Sequence, residues 1–132
     1  MRKPEAEPEP SSDRSWSEKF RCAFRGVNLG VRGQSSFFVH FFMTMAVIAA
    51  GWVLKVDKPE WYILTLCIVG VLTTEMFNGA LESMGRAITH EYNPHLGAAL
   101  DIGSAAVLVA SIGAALVGSL IFYSRIIHLL SQ

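Results

Sequence analysis

Three uncharged apolar runs, residues 37–54, 61–74 and 102–124, limit what this 132-residue chain can become. At ~1.5 Å of rise per residue, the first and last are each long enough to cross a hydrocarbon layer ~30 Å thick. The middle run is shorter, but no turn residue ends it, and the sequence continues into a polar helical pattern. The expected fold is therefore all-α: an integral membrane protein with spans over about 34–54, 61–86 and 94–127. The composition agrees, with 52% of residues hydrophobic and 17% charged. So little polar surface implies one domain, residues 14–132, whose core is mostly membrane.

The formal net charge is zero, and Cys and His form no zinc-like cluster. Neither nucleic-acid binding nor a structural zinc site is indicated. Cys22 and Cys67 fall in an amphipathic segment and in mid-membrane, so both should be free thiols. Residues 1–13 are rich in Pro and Glu, have nothing apolar to bury, and read as a disordered tail. They do not read as a signal peptide, because the first apolar run starts only at Phe37. Over residues 15–32, Trp16, Phe20, Phe24, Val27 and Val31 recur at three- and four-residue spacing. Lys19, Arg21, Arg25 and Arg32 lie largely away from them. This is the pattern of a basic amphipathic helix in the membrane surface; a helix packed on a partner is the alternative. Between Arg14 and Arg32 there are five basic residues and one acid, Glu18. The positive-inside rule then puts the N-terminus in the cytoplasm of a multi-pass inner-membrane protein.

The segment from Glu75 to Asp101 organises the rest. Glu75, Asn78, Glu82 and Arg86 are spaced by three, four and four residues, which at ~100° per residue places them on one helical stripe. Glu75 lies 14 residues past Trp61, ~21 Å along the axis. An acid at that depth points to function. Glu82, nearer the exit, also fits an interfacial residue reaching water. Asn93-Pro94 reads as an N-cap followed by proline at the first helical position. His40, near the start of the first span, reads as an interfacial histidine. Ala106, Ala110, Ala114 and Gly118 form a small-residue stripe that lets another helix approach closely.

Two glutamates ~10.5 Å apart on one helix could divide the work of phosphoryl transfer. The deeper one would take a proton from a lipid hydroxyl, and the outer one would hold a divalent ion on ATP. A small proton-coupled exporter also needs a membrane-embedded glutamate, and is the alternative from another class.

The run E-x-x-N-x-A-x-E from Glu75 to Glu82, then Glu91-Tyr92, then D-x-G-S-A-A-V from Asp101, resembles the prokaryotic diacylglycerol kinase family, which includes the undecaprenol kinases. The A-F-x-G at Ala23 to Gly26 and the F-x-V-H ending at His40 are similar to the undecaprenol kinase branch. The resemblance implies a homotrimer with active sites shared between subunits, ATP as co-substrate, magnesium, and a membrane lipid as acceptor. It implies Glu75 as general base, Glu82 as metal and nucleotide ligand, and Asn78 as an active-site amide. Glu91, Tyr92, the adjoining Asn93 and Asp101 would contact the nucleotide. Three positions depart from the family pattern. Gln34 stands where a second metal-binding glutamate is usual, and can offer only its carbonyl. Leu100 replaces a lysine, and Arg86 replaces an aspartate. Arg86 is expected to take over phosphate contact from the missing lysine. A homologue that has lost activity is the other outcome these departures allow.

Overall fold

The computed structural model describes residues 15–33 and 35–131, without the side chains of 32, 33 and 35. The expected tail and Gln34 lie outside the described residues. The order is α1 (Trp16–Gly33), α2 (Ser35–Val53), α3 (Lys58–Ile88) and α4 (Pro94–Leu130), with no strand among the described residues. α2, α3 and α4 are each long and apolar enough to cross a membrane.

α2 ends at a left-handed turn. Lys55 has φ 52°, Lys55 N donates to Trp52 O, and Val56 N donates to Gly51 O over 3.0 Å. These two bonds satisfy carbonyls at the end of the helix, in a geometry that usually recruits glycine. Gly51 also lets the following helix come close, since a β-carbon there would meet the Trp61 ring at 2.6 Å.

α3 starts three residues before the expected 61. Asp57 is the N-cap, its backbone N–H donates to Glu60 Oε2 over 3.0 Å, and Pro59 occupies the first turn. The residues left between the first two expected spans thus include the helix start. α4 begins as expected, with Asn93 Oδ1 accepting from His95 N (3.0 Å) and Leu96 N (3.2 Å). Thr74 and Ser104, inside the apolar stretches, donate their hydroxyls back to carbonyls of their own helices. This satisfies them where lipid offers no partner.

The antiparallel pair α3–α4 carries most of the packing. At one end Gly85 faces Leu96 and Leu100, and Gly103 faces Asn78 and Leu81. Further along, Leu64, the most deeply buried large side chain, approaches Gly118. At the far end Arg125 bonds to both Asp57 and Glu60, with Nε 2.7 Å from Glu60 Oε2. The small-residue stripe serves this packing only in part. Gly118 is buried and Ala106 exposed, while Gly103 and Val107 complete the buried line of α4.

α1 is a helix, as the periodicity requires, and rests on α3 where Gly30 faces Met76. Its Trp16, Phe20 and Phe24 are exposed. α2 packs more lightly on α3 and α4, and the three helices line an apolar cavity of about 440 Å³ that is open on one side. Cys22 and Cys67 are both free.

Candidate active site

The polar stripe of α3 runs from the buried interior to water. Glu75 is 2% exposed, Asn78 is also buried, Glu82 is half-buried, and the Arg86 side chain is 63% exposed. The three-four-four spacing does place all four on one face, as expected. Neighbouring members are linked: Asn78 Nδ2 donates to Glu82 Oε1 over 3.2 Å, and Arg86 Nη1 lies 3.7 Å from Glu82 Oε2.

A carboxylate as buried as Glu75 needs partners to offset its lost hydration. α2 supplies them. Ser36 Oγ donates to Glu75 Oε1, and His40 Nε2 stands 3.7 Å from Oε2. Neither was legible as a site residue, because both come from another helix. The His40 side chain, expected at the membrane interface, is mostly buried beside Glu75 and also lines the apolar cavity.

Asn78 is fixed from the α4 side. Its Oδ1 is buried without a hydrogen-bond partner, and a β-carbon on Gly103 would stand 2.6 Å from it. The amide is thus wedged between Gly103 and Glu82, with its NH2 directed at the carboxylate. Leu100, where the resemblance leads one to expect lysine, packs toward Gly85 of α3. A side chain at 100 therefore helps hold α3 against α4 in this chain.

The structure does not bury Glu91, Tyr92 or Asp101 with the α3 row. All three are exposed, Tyr92 at 92%, on the loop and first turns of α4 that adjoin the Glu82 end. Asn93 lies among them with its Oδ1 engaged as the cap of α4.

Among the described residues, no three His, Cys, Asp or Glu side chains gather to cage a metal. The Glu82 carboxylate is a hard oxygen donor at the border with water. One such carboxylate fits an ion that arrives on nucleotide phosphates and keeps most of its other ligands, as magnesium does. It does not fit a resident, fully protein-coordinated metal.

Three helices of spanning length define a polytopic membrane protein, and the acid-and-amide row of α3 runs from the middle of that helix toward its C-terminal end. The chain belongs to the prokaryotic diacylglycerol kinase family, whose model matches residues 21–122, and it is therefore an enzyme of the membrane lipid kinase class. The matched stretch contains every site residue named above. The chain is 30% identical over 109 residues to the undecaprenol kinase of Bacillus subtilis, covering 83% of this chain and 89% of that one. It is 31% identical over 112 residues to a diacylglycerol kinase of Synechocystis sp., covering 84% and 64% respectively. A diacylglycerol kinase of Escherichia coli K12 is 36% identical over 81 residues, covering 61% and 66%. This membership sets aside the exporter alternative.

Proposed function

We propose that the protein transfers the γ-phosphoryl group of ATP to the hydroxyl of a membrane lipid, diacylglycerol or a polyprenol such as undecaprenol. One observation carries the reading. An almost wholly buried carboxylate, Glu75, adjoins through His40 an apolar cavity large enough for part of an alkyl chain. A base at the head of a lipid slot suits deprotonation of an alcohol that arrives from the bilayer.

In this reading Glu75 accepts the proton as the O–H bond of the lipid breaks. The lipid oxygen bonds to the γ-phosphorus, the bond from that phosphorus to the bridging oxygen breaks, and ADP leaves. Glu75 later returns its proton to water. Glu82 would hold magnesium on the phosphates, and Asn78 orients the Glu82 carboxylate. Magnesium, when bound, supplies neutralisation of the charge on the phosphate oxygens. Arg86, exposed beside Glu82, would contact phosphate in place of a lysine at position 100.

The active form in this reading is a homotrimer in which Glu91, Tyr92 and Asp101 contact nucleotide at a shared site; the exposure of all three supports it. α1 lies in the surface of the inner membrane, with its exposed aromatics as anchors and its basic residues toward the cytoplasm.

The test is direct. The purified full chain, reconstituted in lipid nanodiscs, is given magnesium and ATP labelled on the γ-phosphate, with diacylglycerol and undecaprenol in parallel. Label should move into the extracted lipid fraction with at least one acceptor. A folded protein that labels neither would overturn the proposal and leave an inactive homologue. The ratio between acceptors assigns the substrate.

A further inference from the structure

We propose that His40 seats the acceptor hydroxyl against Glu75. The inference rests on the reading of Glu75 as base, and assigns a second substrate-contacting group from α2.

The distances define the role. His40 Nε2 and Glu75 Oε2 are 3.7 Å apart, beyond the ~2.7–3.2 Å of a direct N–H···O hydrogen bond. A hydroxyl oxygen placed ~2.8 Å from each atom forms the apex of a triangle on that base. There it donates its proton to Oε2 and accepts from Nε2–H. The other carboxylate oxygen, Oε1, is already taken by Ser36. Ser36 thus fixes the rotation of the carboxylate and leaves Oε2 for the substrate.

The surroundings point the same way. His40 lines the apolar cavity together with Val39, Met43, Thr44 and Val71. Its ring thus stands at the junction between the slot for an alkyl chain and the acid. A histidine serving only to neutralise Glu75 needs no contact with that slot. With the donor fixed on one side and the acceptor on the other, an alcohol entering along the cavity has one productive orientation.

Three variants test this. H40F keeps a ring of similar bulk without the donor, H40L removes the ring, and H40Q retains a nitrogen donor. Lipid titrations at saturating ATP, and ATP titrations at saturating lipid, are run on each in nanodiscs. H40F and H40L should lower kcat/KM for the lipid by about 100-fold, the scale for losing one oriented donor. The KM for ATP should stay within about twofold, because the group lies away from the nucleotide end. H40Q should recover at least about tenfold over H40F, since it restores a hydrogen bond to the hydroxyl. Wild-type kcat/KM in H40F or H40L overturns the proposal. So does an equal loss of lipid and ATP parameters, or of thermal stability with no recovery in H40Q, because each shows a packing role. If the unmodified protein phosphorylates no lipid, the kinase reading fails first; an active wild type with an active H40F defeats this inference alone.

Discussion

Asn78 Oδ1 lies against Gly103 so closely that a single β-carbon at position 103 would come within 2.6 Å of it. The contact joins the two longest helices at the point where the polar row leaves the interior. It also explains how an amide whose oxygen has no hydrogen-bond partner keeps its NH2 on Glu82: there is no space on the α4 side for it to swing away.

Gly103→Ala should therefore act on chemistry and stability together. The added carbon must push Asn78 off Glu82 or part the helices, an overpacking change that costs about 1–3 kcal/mol. We expect a lower thermal midpoint and a raised KM for magnesium-ATP. An unchanged ATP titration in a destabilised G103A would show that the Asn78–Glu82 bond has no part in nucleotide binding.

Glu75→Gln and Glu82→Gln should separate. The first removes the base and should reduce turnover by about 1000-fold or more, with ATP binding largely intact. The second should raise the magnesium concentration needed for ATP binding by about tenfold or more, by analogy with other losses around a bound ion. Titrating magnesium in each variant decides between the two roles, and a normal titration in E82Q contradicts the metal assignment.

Arg86→Ala removes an exposed guanidinium 3.7 Å from Glu82. Loss of a charge-assisted phosphate contact is worth roughly 1.5–3 kcal/mol, so ATP affinity should fall by about tenfold or more. If affinity and turnover stay at wild-type values, Arg86 does not replace the missing lysine and is a solvated partner of Glu82.

Lys55→Gly should stabilise the fold. Lys55 holds a left-handed backbone at φ 52°, a conformation that burdens an L-residue by roughly 1–2 kcal/mol relative to glycine. Part of this gain is lost to the greater freedom of glycine in the unfolded chain. A net rise in the thermal midpoint, with no change in kcat, is expected. A fall would mean that the lysine side chain makes a compensating contact at that end.

The helices were largely legible in the sequence, because charge-free runs of spanning length leave few other folds. Asn93-Pro94 marked the start of α4 correctly, since a cap and a fixed φ are local chemistry. The start of α3 lies three residues before the expected one: the span was counted from the uncharged Trp61, whereas the charged Asp57 and Glu60 cap the helix ahead of it. Within the site, the α3 row followed from periodicity alone. Ser36 and His40 did not, because their meeting with Glu75 depends on how α2 leans on α3, which no local pattern encodes. Leu100 read as a missing lysine; only its packing on Gly85 gives it a positive role.

Arg125 also sets the register of the helix pair. By gripping Asp57 and Glu60 it pins α4 to α3 at the end of the bundle opposite Glu82. Stiff rods pass such an alignment along their whole length. A slip of one turn, ~5.4 Å, would carry Gly103 away from Asn78 as surely as a substitution at either residue. Register of the polar row is thus anchored at the opposite end of the bundle, where the Asp57 carboxylate is open to solvent and ions can reach the anchor without approaching Glu82.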